Sequence, residues 1–265
     1  MIAKYFDSHS HIASSPKKYS NIDAVIQRAK DAGLVKIVDC AIDLPTSEEV
    51  LKLYRKYPEI IIPIVGLHPE LLIPGSDIYS KEDINKWVSE LEQLVIGNRD
   101  NIKAVGECGL DYYWVDNSEQ LTTEQKSKIK GLQKKLFVEQ IKIAHGEKLP
   151  LVVHSRGAEE ECLNSLQQIA NSEQQRVLFH CYTGDMRTAG SVFKAGFHIS
   201  FNGILTYKNA EDICEIFKYG WENYKHLLLA ETDAPYLKPR VNEVQRKDVE
   251  PTMCEPRDVI YVVEK

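Results

Sequence analysis

Tyr5–Ile12 reads YFDSHSHI and sets Asp7, His9 and His11 at every second position. Alternate side chains of a β-strand share a face, so this spacing aims both imidazoles at one point. Neutral imidazole is the commonest side-chain ligand for transition metals, and two converging from one strand make half a site. The competing reading is a polar edge strand whose histidines meet water. Further ligands elsewhere in the chain, at equivalent places, decide between the two.

Outward from this stretch the chain alternates apolar strands with amphipathic helices. Ile22–Ala32 has helical spacing and stops at Gly33; Lys36–Ile42 (KIVDCAI) is a β-branched strand; Thr46–Tyr57 is amphipathic and ends before Pro58. Ile60–His68, Ile102–Leu110, Leu149–His154, Arg176–His180, Phe197–Phe201 and Leu227–Thr232 follow as strands. Between them lie helical stretches at Lys81–Ile96, Thr122–Lys148, Ala158–Ala170, Asp185–Ala195 and Ala210–Tyr219. Eight short strands, each leading toward a helix, predict one closed (β/α)8 TIM barrel of the α/β class, a single domain over residues 1–265. A doubly wound open sheet is the alternative, but no glycine-rich nucleotide fingerprint follows the first strand. The last stretch, Val259–Lys265, is too short for a full barrel helix. The eighth helix is therefore expected to be truncated, the chain being a fragment or lacking its tail.

Composition narrows the class. With 265 residues, 43% hydrophobic and 27% charged, the chain can bury a large core without disulfide staples. Its six cysteines form no Cys-x-x-Cys pair and read as reduced thiols of a cytoplasmic protein. No charged leader or long apolar run is present, which argues against a membrane span. A net charge of −6 disfavours a sequence-independent nucleic-acid coat. It leaves room for an enzyme that handles phosphodiesters in a cleft where bound cations supply the positive charge.

Barrel enzymes carry their chemistry at the carboxyl ends of the strands. Those ends hold Asp7, His9 and His11; His68; Glu107 and Asp111; His154-Ser155-Arg156; His180-Cys181-Tyr182; and Glu231-Thr232-Asp233. Five of the eight histidines sit there, each after a run that should be buried. Solvation does not explain that clustering. His145 and His226 read as surface residues, and His198, inside a strand, as a hydrogen-bonded structural histidine. Cys108 and Cys181 read as small packing residues, the Lys and Glu runs of Thr122–Lys148 as a solvated helix face. Asp7 and Asp111 are placed to orient imidazoles.

The stretches FDSHSH, GLHP, GECGLDYYW, VVHSR, HCYTG and ETDAPYLKP, in that order, resemble the TatD-type metal-dependent deoxyribonucleases of the amidohydrolase-like barrel superfamily. The resemblance runs from Phe6 to about Lys265. It implies a two-metal site: His9, His11, Glu107 and Asp233 on one ion, Glu107 bridging, and His154 and His180 on the other. It also implies that Arg156, His68 and the tyrosines Tyr112 and Tyr113 lie near the substrate phosphates. Two departures stand out: Cys108 replaces an aliphatic residue, and Cys254 in MCEP stands where the family tends to have Asn.

Mixed His and carboxylate ligands suit two divalent ions, Mg2+, Mn2+ or Zn2+. Asp233 is the expected general base, Glu107 the bridge, and Arg156 a bidentate phosphate clamp. The expected activity is hydrolysis of DNA, as a monomer with no membrane partner, from a 3′ end. A metal-dependent amide or ester hydrolase, acting on an aminoacyl-tRNA or a small cyclic amide, is the second reading. Several such barrels bridge their metals with a carboxylated lysine, and no strand end here offers one. A non-catalytic metal-binding protein is the third.

Overall fold

The computed structural model describes residues 4–15, 17–75, 83–169, 175–241 and 253–265. Lys81 and Ala170 at the edges of expected helices, and Pro251, lie outside the described residues. Eight strands form one sheet in sequence order: β1 (Tyr5–Ser10), β2 (Leu34–Cys40), β3 (Ile61–Val65), β4 (Ala104–Asp111), β5 (Leu151–Arg156), β6 (Val177–Phe179), β7 (His198–Phe201) and β8 (Leu228–Ala230). Every neighbouring pair is parallel. The ring is drawn shut where the chain after β8 meets β1. A parallel bridge joins Ser10 to Ala234, the His11 N–H donates to the Ala234 carbonyl (2.7 Å), and the Asp233 N–H to the His9 carbonyl (2.9 Å).

The helices follow the strands: α1 (Ile22–Asp31), α2 (Leu44–Lys56), α3 (Ile84–Gly97), α4 (Tyr112–Asn117), α5 (Thr123–Gly146), α6 (Glu159–Ile169), α7 (Met186–Lys194), α8 (Glu211–Tyr224) and α9 (Val259–Val263). Their starts are chemically marked. Asn21, Asp83 and Asp185 cap α1, α3 and α7, while Asp43 with Thr46 and Thr122 with Gln125 form reciprocal capping boxes on α2 and α5. Among the described residues no helix is long and apolar enough to cross a membrane.

Two kinds of core follow from strands buried on both faces. One small cluster takes Val38, Cys40, Ile64, Ala104, Val152 and Leu178 from different strands, with Ile62 and Leu229 against it and no helical residue. A cluster drawn only from strands fills the inside of the barrel. The larger cluster joins the outward residues Val65, Val105, Leu151, Val153, Phe179 and Phe201 to Leu91, Leu136, Phe137, Leu166 and Phe193 of the helices. Polar groups replace the apolar inner layer only toward the carboxyl ends, where β3, β4 and β5 approach closely. A Cβ on Gly66 would lie 2.6 Å from the Gly106 carbonyl carbon, and one on Gly109 (φ +143°) 1.9 Å from the His154 carbonyl oxygen.

α4 adds a helix to those expected from the sequence: at DYYW the Asp111 carboxylate accepts from Trp114 N–H (3.1 Å) and starts a helix directly from β4. α8 runs five residues past Tyr219, through Gly220, whose missing Cβ leaves room for Leu228 and Phe193.

Candidate metal centre

Glu107 is the hub of the polar layer. It is 2% exposed, and Oε1 lies 2.5 Å from His180 Nε2, 2.9 Å from His154 Nδ1 and 3.4 Å from His68 Nε2. Oε2 lies 3.2 Å from His11 Nε2 and 3.4 Å from His9 Nε2. Asp233 closes the other side, its Oδ1 3.5 Å from His11 Nε2 and 3.7 Å from His9 Nε2. Asp233 sits in the left-handed region (φ 57°) and keeps 14% of its side chain exposed at the rim. Thus all six residues expected from the sequence as ligands meet in one place: His9, His11, Glu107, His154, His180 and Asp233.

The groups behind the imidazoles define which nitrogen faces inward. The His11 Nδ1 lies 3.0 Å from the Cys40 carbonyl, which can only accept, so the Nδ1 carries the proton and Nε2 is free to ligate. His154 Nε2 faces Asp111 Oδ2 at 3.0 Å, which turns its Nδ1 toward Glu107. His180 Nδ1 faces Glu231 Oε1 at 3.6 Å. His68 is reversed. Its Nδ1 accepts the Glu70 N–H (3.2 Å), so its ring proton is on Nε2 and points into the site as a donor. His68, Glu107 and His154 are close enough to hold an ion, as are His9, His11 and Asp233, or His9, His180 and Glu231. The engaged Nδ1 removes His68 from the ligand set. Glu231 is engaged behind the site, accepting from Cys181 N–H (2.7 Å), Asn202 Nδ2 (3.3 Å) and the Ser200 hydroxyl.

Electrostatics reflect the same convergence. Burial works against an ionised Glu107, yet the imidazoles of His180, His68, His11 and His154 hold its carboxyl well below the usual carboxylate range. Burial also opposes charge on His11 and His154, but their carboxylate neighbours raise each to about 9. Burial and the adjacent His180 push His9 down to about 4. Burial pushes Asp233 up to about 6. Protons thus gather on the ring around Glu107 to neutralise it, a role a divalent ion fills with fixed charge. The donor set fits such an ion. Both ring nitrogens of His180 are buried without a hydrogen-bond partner, Nε2 against Glu107 and Nδ1 on the side of Glu231.

Above the ring is a cavity of about 490 Å³ lined by His11, His68, Glu107, Trp114, His154, Arg156, Cys181, Asp233, Tyr236 and Leu237, among others. The Arg156 guanidinium stacks over Tyr113 (4.2 Å) and near Trp114 (5.2 Å). Tyr112 does not reach the cavity; it packs against the core with Lys130 Nζ 4.6 Å above its ring. Because α4 begins at Tyr112, the side chain turned to the cavity is Trp114, and Tyr113 acts through Arg156.

A family model described as "TatD related DNase" matches residues 6–265. The chain belongs to this family. Among TatD-family relatives, it is 32% identical over 260 residues to the uncharacterized metal-dependent hydrolase YabD of Bacillus subtilis, covering 98% of this chain and 89% of YabD. It is 30% identical over 235 residues to the uncharacterized metal-dependent hydrolase YcfH of Escherichia coli, covering 88% and 78%. The crystal structure of YjjV, a TatD homolog from Escherichia coli, superposes with a TM-score of 0.77 at 24% identity, over 100% of this chain and 89% of that one. That likeness shows the shared barrel.

One positioning group, Gln133, has no signal in the sequence patterns used above. Gln133 of α5 is fully buried; its Oε1 accepts the Asp111 N–H (3.1 Å) and its Nε2 donates to the Pro69 carbonyl (3.2 Å). Asp7 supports the site differently from expectation. It touches no imidazole but accepts from Thr232 N–H (2.9 Å), the Thr232 hydroxyl (2.6 Å) and His9 N–H (3.3 Å). The Thr232 hydroxyl in turn accepts from Ala234 N–H (3.1 Å), so Asp7 shapes the turn that presents Asp233.

Proposed function

We propose that this protein is a metal-dependent hydrolase that cleaves DNA phosphodiester bonds, from a 3′ end, with two divalent ions. What carries the reading is the convergence of four imidazoles on Glu107, two of them also facing Asp233, beneath a cavity that Arg156 overlooks. His9, His11 and Asp233 would hold one ion and His154 and His180 the other, with Glu107 between. Such ions, when bound, polarise a phosphoryl oxygen and lower the pKa of water to about 7. Asp233, at the rim and with its carboxyl raised by burial, holds the attacking water and takes its proton. His68 offers its Nε2–H and Arg156 its guanidinium edge to the non-bridging phosphate oxygens, while Tyr113 fixes the guanidinium plane. Trp114 and Tyr236, about half exposed at the rim, supply flat apolar surfaces for nucleobases.

The test is nucleotide release from single- and double-stranded DNA labelled at either end, in Mg2+, Mn2+ and Zn2+. Activity should vanish with chelator and in Asp233→Ala. Metal-loaded protein that leaves both DNAs intact while cleaving amides or simple esters would move the assignment to the second reading.

A further inference from the structure

We propose that Cys40 is the positioning residue of the His9–His11 pair: its sulfur accepts the His9 Nδ1 proton just as its carbonyl accepts that of His11. This rests on the metal-site reading above and extends it to a side chain at the end of β2. His9 Nδ1 lies 3.4 Å from Cys40 Sγ, and both residues are fully buried. His11 has no freedom, because a carbonyl cannot donate. His9 has two options, because a thiol can accept or donate.

If the thiol donates, the His9 ring proton moves to Nε2 and points at His11 Nε2, 3.0 Å away. The pair is then an ordinary hydrogen bond between two histidines. If sulfur accepts, His9 Nε2 is left as a bare acceptor facing His11 Nε2 at that distance, an arrangement that holds with a proton on His11 Nε2 in the metal-free protein or with a metal cation between the two nitrogens. The surroundings favour the second arrangement. His9 Nε2 is also 3.4 Å from Glu107 Oε2 and 3.7 Å from Asp233 Oδ1. One ring proton can serve one of these acceptors, whereas a shared cation serves the two nitrogens and both carboxylates together. His180, stacked on His9 at 3.8 Å and 11°, holds the ring against rotation, so that the Nδ1 edge stays on Cys40. One residue thereby sets the inward nitrogen of both β1 histidines, one through its side chain and one through its backbone.

The experiment reads the ring protons directly. Long-range ¹H–¹⁵N spectra of histidine-labelled, metal-free full-length protein, with His9 assigned by its loss in His9→Gln, should show the His9 proton on Nδ1. In Cys40→Ala that proton should shift wholly or partly to Nε2, while His11 keeps its Nδ1 proton in every variant. Cys40→Ser, which retains an acceptor, should keep the wild-type pattern. Titration with Zn2+ or Mn2+ alone should show affinity about 10- to 100-fold weaker in Cys40→Ala, largely recovered in Cys40→Ser. Far-UV circular dichroism checks that each variant is folded; if Cys40→Ala is not, the wild-type and Cys40→Ser spectra decide. A wild-type His9 proton on Nε2, or Cys40→Ala with unchanged ring pattern and affinity, overturns the proposal. Wild-type protein that takes up neither metal overturns the metal-site reading instead, while the ring spectrum still judges the Cys40 contact.

Discussion

Replacing Gln133 with leucine is expected to destabilise the protein by about 1.5–4.5 kcal/mol, although the change touches no reacting group and makes the side chain more apolar. Gln133 is fully buried on α5 and bonds at both ends to backbone that strands β3 and β4 release into the site. Leucine leaves the Asp111 N–H stranded away from water, at about 1–3 kcal/mol, and removes one bond from the Pro69 carbonyl, at about 0.5–1.5 kcal/mol. Leucine fills a similar volume, so no large cavity adds to the sum. Urea unfolding should show a lower midpoint with unchanged slope. For a chain of this size, each kcal/mol lowers the melting temperature by roughly 2–4 °C, so the drop should reach at least about 3 °C. His68 and Asp111 flank the two bonded groups, and metal affinity should weaken as well. An unfolding free energy within about 0.5 kcal/mol of wild type would refute the reasoning, because it would mean that water or another group satisfies Asp111 N–H.

Arg156→Lys should lower kcat/KM on DNA about 10- to 100-fold with no change in melting temperature, since ammonium offers neither the planar fork nor the stack on Tyr113. Burial pushes the Asp39 carboxyl up from 3.8 to about 7 despite its bonds to Ile12 and Ala13 N–H. The native state therefore binds this proton more tightly than the unfolded chain, and the stability it contributes is lost as pH rises between those values. Asp39→Asn should flatten that part of the stability–pH curve relative to wild type, as chemical denaturation at stepped pH will read. Gly131→Ala, in open space on α5, should raise stability by roughly 0.5–1 kcal/mol, whereas Gly109→Ala should abolish soluble expression or lower the melting temperature sharply.

The barrel was legible because its short strands carry the continuous apolar character that a sheet covered on both faces requires, and because their polar residues cluster at one end. Ligand identity was legible for a related reason: a histidine or carboxylate directly after a buried run has few bland explanations. What escaped were residues whose meaning depends on a distant partner. Gln133 lies in a stretch of Lys and Glu that reads as a solvated face, and Cys40 ends an apolar strand as any small core residue might. Asp7 read as an imidazole support because it shares a face with His9, yet strand closure carried its carboxylate to Thr232. Trp114 rather than Tyr112 lines the cavity because Asp111 caps a helix that starts at Tyr112, and the sequence reading placed the tyrosines by resemblance without that turn of helix.

The seam between β1 and the chain beyond β8 runs through the backbone of the residues whose side chains face the centre: His9 and His11 on one side, Asp233 and Ala234 on the other. Closing the cylinder and bringing His9 and His11 to Asp233 thus rest on the same backbone contacts. The seam brings His9, His11 and Asp233 together, and Glu107, His154 and His180, from β4, β5 and the end of β6, complete the centre. The backbone contacts that shut the cylinder therefore also hold two of its inward imidazoles against Asp233.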